Sequence, residues 1–203
     1  MAATFYFDLG SPYAYLAAER IEALLGEDVA WQPLSLGALF KLNGRSSWSL
    51  AGEQPRRQGI GEVERRARSR GLAPLRWPEP WPGNYLMAMR AATFACASGC
   101  GREFALRAFR DAFVRGRDLS LPEHVLAAAA AVGLDPERVR AATGEPAVKQ
   151  ALREATDAAH ALGVLGVPTV AVPRAGGDGA ELFWGDDRLE RAAALLSAHS
   201  ERW

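Results

Sequence analysis

Thr4-Phe5-Tyr6-Phe7-Asp8-Leu9-Gly10-Ser11-Pro12-Tyr13-Ala14-Tyr15 is the stretch from which the rest of the chain is read. Thr4 to Phe7 has the β-branched and aromatic composition of a strand, Asp8 to Gly10 forms a turn, and Ser11-Pro12 starts a helix. Pro12 suits a first helical turn because its fixed φ matches the helix and its missing N–H would have no partner there. Ser11 is then the N-cap, beside backbone N–H groups that the helix itself leaves unpaired. Its hydroxyl has two readings. It is a cap worth about 1 kcal/mol, or it is the donor beside an anion, such as a thiolate, held at the helix start.

Outward from this stretch, Tyr15, Leu16, Ile21, Leu24 and Leu25 make one helical stripe that Gly26 closes, and Val29 to Leu34 reads as a second strand. A right-handed crossover sets the two strands parallel and puts Ser11 at the carboxyl edge of a sheet, where open α/β folds hold ligands. From Leu36 to Ala161 strand signals nearly vanish. Helices are expected over Ile60 to Arg70, Asn84 to Ala97, Phe104 to Val114, Pro122 to Val132, Pro136 to Ala142 and Pro146 to Leu162. The basic run Arg65 to Arg70 reads as a solvated helix face. Between the helices, Arg45-Ser46-Ser47-Trp48 and the proline- and tryptophan-rich Leu75 to Gly83 are loops; the second either walls an apolar pocket or lies over the helices as a lid.

Strand signals return at Pro168 to Val172 and at Glu181 to Trp184, joined by a Gly-rich turn from Arg174 to Gly179. Gly185-Asp186-Asp187 then leads into a closing helix with Leu189, Ala192, Leu195 and Leu196 on its apolar side. The expected fold class is α/β. Residues 1–36 and 162–203 form one discontinuous domain, and 37–161 form an all-helical insertion.

Composition narrows the function. Among 203 residues, 24 basic side chains balance 24 acidic ones, so no overall field recruits nucleic acid or an anionic membrane, and a small molecule is the expected partner. The N-terminus lacks the pattern of a signal peptide and no apolar run approaches about 18 residues, so a cytoplasmic location is expected. Cys96 and Cys100 lie one helical turn apart and read as buried thiols. His124, His160 and His199 stand apart from Ser11, which also lacks the Gly-x-Ser-x-Gly context of a hydrolase nucleophile.

The order of elements resembles a thioredoxin-like fold with a large helical insertion, as in DsbA-like proteins, and Gly166-Val167-Pro168-Thr169 resembles that fold's cis-proline loop. Where redox members carry Cys-x-x-Cys, this chain has Ser11-Pro12-Tyr13-Ala14, and an alcohol forms no mixed disulfide. Three stretches carry a narrower resemblance over nearly the whole chain: Phe5-Tyr6-Phe7-Asp8 before Ser11-Pro12-Tyr13, then Gly163 to Thr169, then Leu182-Phe183-Trp184-Gly185-Asp186-Asp187-Arg188-Leu189. Together they resemble the 2-hydroxychromene-2-carboxylate isomerases, relatives of the kappa-class glutathione transferases.

The resemblance implies glutathione as cofactor, an aromatic substrate and a homodimer. It implies Ser11 as catalytic thiolate partner, Val167 and Pro168 as a backbone clamp, Asp186 and Asp187 as anchors for the γ-glutamyl amine, and Asn43 as a further ligand contact. Gln58 stands where that family often has Tyr, and Lys41, Arg45, Arg56 and Arg57 are the candidate cations for a substrate carboxylate. The expected activity is glutathione-dependent cis-trans isomerisation. The alternatives are glutathione transfer or peroxide reduction of the kappa-class kind, and a non-catalytic thioredoxin-fold binding module.

Overall fold

The computed structural model describes residues 2–175 and 179–200. Its sheet has four strands, β1 (Thr4–Phe7), β2 (Ala30–Pro33), β3 (Thr169–Pro173) and β4 (Ala180–Trp184), in the order β2-β1-β3-β4. β1 and β2 run parallel with Thr4 opposite Ala30, as the β-α-β reading requires. β3 is antiparallel to both neighbours, with Phe5 opposite Val170 and Thr169 opposite Trp184. Residues 176–178 of the expected Gly-rich turn lie outside the described residues.

Phe5 and Phe7 alternate with half-buried Thr4 and Tyr6, the period of two that a strand imposes. Both phenylalanines are fully buried and meet the helices behind the sheet, Phe7 lying 6.0 Å from Phe109. β3, with neighbours on both sides, is buried through four successive residues. The apolar core therefore runs from the sheet into the helical segment as one cluster.

Among the described residues there are ten α-helices: α1 (Pro12–Ala18), α2 (Ile21–Leu25), α3 (Leu36–Leu42), α4 (Glu53–Ser69), α5 (Leu86–Ala97), α6 (Gly101–Phe113), α7 (Pro122–Ala130), α8 (Pro136–Gly144), α9 (Pro146–Ala161) and α10 (Leu189–Ser200). Two expectations change, and one helix, α3, was not among those expected. The single first helix is broken at Glu19 and Arg20, whose side chains turn to Arg110 and to the Asp186 carbonyl respectively, so long-range partners settle what no Gly or Pro signals. The helix expected from Ile60 begins at Glu53; Gly59 and Gly61 weaken the local signal there, yet Gly59 is where the indole of Trp48 packs closely against the helix. α3 lacks a strong sequence signature because it has seven residues, with Ser35 Oγ accepting the Ala38 N–H at its start. Among the described residues no helix is long and apolar enough to cross a membrane.

Candidate active site

A cavity of about 930 Å³ opens where the end of β1, the start of α1 and the loop before β3 converge. Ser11 lines it, 5% exposed. Its Oγ accepts the Ala14 N–H at 3.2 Å, so the hydroxyl is a cap. A cap consumes a lone pair and leaves the O–H proton free to donate, so capping and ligand binding are compatible.

Across the cavity the Val167–Pro168 peptide is cis, and both residues line the wall. The backbone N–H and C=O of Val167 have no hydrogen-bond partner among the described residues, whereas the adjoining Pro168 carbonyl accepts the Gly185 N–H at 2.9 Å. Val167 thus offers an unpaired N–H and C=O in the same cavity as Ser11, the groups with which a peptide ligand pairs.

Asp8 forms the floor. Its Oδ1 accepts the Gly10 N–H and its Oδ2 the Leu36 N–H, both at 2.8 Å, which ties the turn before α1 to the start of α3. Burial, partly offset by those two bonds, pushes its carboxyl up to about 6. Sequence reasoning placed Asp8 only in a turn; its position at a strand end next to Ser11 was the available signal.

The opposite wall is aromatic. Trp48 and Trp81 stand 5.4 Å apart, Tyr13 packs edge-on to Trp48, and the Trp81 indole N–H reaches the Gly10 carbonyl at 3.3 Å. The proline-rich loop is therefore a wall of the pocket. Three glycines make room for its rings: a Cβ on Gly59 would lie 2.2 Å from Trp48, one on Gly10 2.4 Å from Tyr85, and one on Gly166 3.0 Å from Trp184. The Tyr85 hydroxyl is buried without a properly formed hydrogen bond, and burial pushes its phenol up to about 12.

Asp186 and Asp187 both line the cavity but differ in state. Asp186 is 1% exposed, with one carboxylate oxygen accepting from Arg66 at 2.7 Å and the other paired with Arg70. The Asp187 side chain is 51% exposed and lies 3.9 Å from Arg66. The basic run on α4 is thus not simply a solvated face. Arg66 and Arg70 turn inward to Asp186, which belongs to another part of the chain, while the acid that helical spacing does supply to Arg66, Glu62, gives no sign of that inward turn.

Asn43 does not line the cavity, and its amide donates to the Leu39 carbonyl at 3.1 Å and the Val164 carbonyl at 3.2 Å. Its reach is used in holding α3 to the loop before β3. Lys41 and Arg45 do line the cavity, Arg45 lying 5.0 Å over the Trp184 ring. Arg56 donates to the Trp81 carbonyl, while Arg57 is exposed beside Glu53 and Gln58 is exposed. Cys96 and Cys100 are free and only half-buried; burial pushes the Cys96 thiol up to about 12, and its Sγ donates to the Trp31 carbonyl. Among the described residues no cluster of His, Cys, Asp and Glu could hold a metal.

A thioredoxin-type sheet interrupted by helices, with a cis-proline loop facing a serine at the first helix start, defines the class. Residues 3–197 match the DsbA-like thioredoxin domain, and the chain belongs to that family. Human glutathione S-transferase kappa 1 is 27% identical, over 98% of this chain and 90% of that protein. A 2-hydroxychromene-2-carboxylate isomerase structure superposes with a TM-score of 0.84 at 22% identity, covering 100% of this chain and 97% of the other. The cytosolic disulfide reductase DsbM of Pseudomonas aeruginosa, solved with glutathione, gives a TM-score of 0.70 at 18% identity, covering 99% and 100%. At these identities the two structures share the fold with this chain.

Proposed function

We propose that the protein is a glutathione-dependent enzyme that isomerises a small aromatic carboxylate of the 2-hydroxychromene-2-carboxylate type. The observation that carries this is the placement in one cavity of the Ser11 hydroxyl and the unpaired Val167 backbone. An extended tripeptide pairing with Val167 would run past the start of α1. Bound glutathione supplies a thiolate nucleophile for reversible addition to a conjugated carbon.

The residues of the chain set the state of that sulfur. Ser11 donates its hydroxyl proton in a hydrogen bond to the anion, while Ala14 keeps the oxygen oriented. Lowering a thiol pKa by two units from about 8.5 requires roughly 2.7 kcal/mol, and a charge-assisted hydrogen bond contributes about 1.5–3 kcal/mol of it. Trp48, Trp81, Tyr13 and Leu86 provide an apolar face for an aromatic ring, and Lys41 and Arg45 are placed for its carboxylate. A cytoplasmic location fits a glutathione-dependent reaction.

The test is calorimetric titration of glutathione into the parent chain and Ser11→Ala, with ultraviolet difference spectra. Binding with a thiolate band at neutral pH that fades in Ser11→Ala is the expected result. Absence of binding to the parent would exclude a glutathione enzyme. The human kappa-class relative favours transfer as the second reading. Product analysis separates the two: accumulating conjugate means transfer, and unchanged glutathione beside rearranged substrate means isomerisation.

A further inference from the structure

Building on the isomerase reading, we infer that the Tyr13 hydroxyl is a catalytic hydrogen-bond donor to the ketone oxygen of the substrate, stabilising the negative charge that gathers there during isomerisation. Opening the hemiketal ring of a 2-hydroxychromene-2-carboxylate gives a ketone conjugated to a carbon–carbon double bond. When the benzylic carbon of that double bond accepts a sulfur electron pair, a C–S bond forms and the π pair moves to the ketone oxygen as an enolate. Rotation then takes place about a single bond. Return of the electron pair re-forms the double bond in its other geometry and breaks the C–S bond, so nothing is oxidised or consumed. The charge on that oxygen rises and falls within one turnover, and a donor fixed beside it lowers the barrier.

Tyr13 has the features of such a donor. It stands in the first turn of α1, two residues after Ser11, and lines the same cavity. Its ring is held on two sides, by the Arg66 guanidinium at 5.5 Å and by the Trp48 ring at 6.2 Å. Arg66 is itself fixed, its Nε donating to Glu62 at 2.8 Å and its Nη1 to Asp186 at 2.7 Å. The hydroxyl therefore swings little, although no hydrogen bond holds it.

Among the described residues two tyrosines line the cavity, Tyr13 and Tyr85. The Tyr85 hydroxyl is sealed in the protein, whereas Tyr13 is half-buried and its hydroxyl is neither sealed nor hydrogen-bonded among the described residues. The Trp81 indole N–H is already spent on the Gly10 carbonyl. Burial pushes the Tyr13 phenol above its ordinary value, although the Arg66 charge pulls the other way. The oxygen thus keeps its proton at neutral pH and has it to donate. A phenol, with an ordinary pKa of about 10, is also a more acidic donor than an indole or amide N–H.

The experiment compares the parent chain with Tyr13→Phe, which keeps the ring between Arg66 and Trp48. With a 2-hydroxychromene-2-carboxylate as substrate, kcat should fall about 10²–10³-fold and KM should change little. Glutathione affinity by calorimetry and the thiolate band should be unchanged. Without turnover, 2-oxo-4-phenylbutanoate, which has the ketone and carboxylate but no double bond, should bind Tyr13→Phe roughly fivefold more weakly than the parent. Incorporation of 3-fluorotyrosine at position 13 retains ring and donor, and should retain kcat. An unchanged kcat or an unchanged keto-acid affinity in Tyr13→Phe would overturn the assignment and leave the isomerase reading intact. A thiolate band that fades in Tyr13→Phe would put the hydroxyl on sulfur and overturn it too, as would a fall in kcat with 3-fluorotyrosine as deep as that with phenylalanine. A parent that binds glutathione and isomerises nothing would overturn both this assignment and the isomerase reading.

Discussion

The cavity's polar wall, Ser11 with Asp8, Val167 and Asp187, hangs on short connections at one end of the sheet, whereas the centre of its aromatic wall, Trp48 and Trp81, comes from loops of the intervening segment. On the polar side each group is placed by backbone hydrogen bonds close to a strand end: Ser11 N–H to the Asp8 carbonyl at 3.0 Å, Gly185 N–H to the Pro168 carbonyl at 2.9 Å. On the aromatic side each ring is placed by another ring or by a glycine that leaves it space. Substitutions on the first wall should therefore alter chemistry with modest effect on folding. Those on the second should alter packing first.

Trp81→Ala should break the second wall. Trp81 is 4% exposed, packs tilted against Trp48 and edge-on to Trp77 with ring centroids at 5.4 and 4.7 Å, and donates its indole N–H to the Gly10 carbonyl. Its loss should cost about 3–5 kcal/mol in urea unfolding. A cost below about 1 kcal/mol would mean that the wall collapses without consequence and the contrast fails.

Ser11→Ala gives the opposite profile. Under the thiolate reading kcat should fall about 10²–10³-fold, as for removal of one donor to a developing or bound anion, while stability drops by only about 1 kcal/mol for the lost cap. A stability loss as large as that of Trp81→Ala would place Ser11 with the packing residues.

Asp8 sharpens the comparison through pH. Its carboxyl rises from 3.8 to about 6 on folding. Below the lower value both states are protonated; between the two the unfolded chain loses its proton while the folded chain keeps it. The contribution of Asp8 to stability therefore falls as pH rises from about 4 to 6, by on the order of 3 kcal/mol, and is constant above. Asp8→Asn lacks this titration, so its stability penalty relative to the parent should shrink across that window in urea titrations. A penalty independent of pH would show that burial does not raise this carboxyl.

Gly59→Ala is the smallest effect. Alanine gains about 1 kcal/mol in a helix interior, but a Cβ 2.2 Å from the Trp48 ring must push the indole away. Overpacking costs about 1–3 kcal/mol, so the net change is a mild destabilisation. Altered tryptophan fluorescence should accompany it. Stabilisation with an unchanged spectrum would mean that Trp48 does not rest on α4.

The first β-α-β unit, the closing hairpin and the six helices beyond α4 were legible because their signals are local: alternation in Thr4 to Phe7, Pro12 after Ser11, Pro122, Pro136 and Pro146 in first helical turns. Ser11 was legible as a helix cap for the same reason, whereas Val167 became a candidate only through the resemblance of its loop to a cis-proline loop. Asn43, expected as a ligand contact, spends its amide on two backbone carbonyls, and nothing local in the sequence reveals the one 121 residues away. Arg66 was misjudged for the same cause in reverse. Its partner Asp186 lies 120 residues on, and no periodicity along α4 encodes it.

The sequence by itself determined most of the segments that become strands and helices and that a hydroxyl, not a thiol, stands at the first helix start, because backbone propensity and side-chain chemistry act over a few residues. Only the tertiary structure decided which charges are spent and which remain for a ligand. Asp186 and Asp187 are chemically identical neighbours, and what separates them is that α4 delivers two guanidiniums to the first and leaves the second facing the cavity.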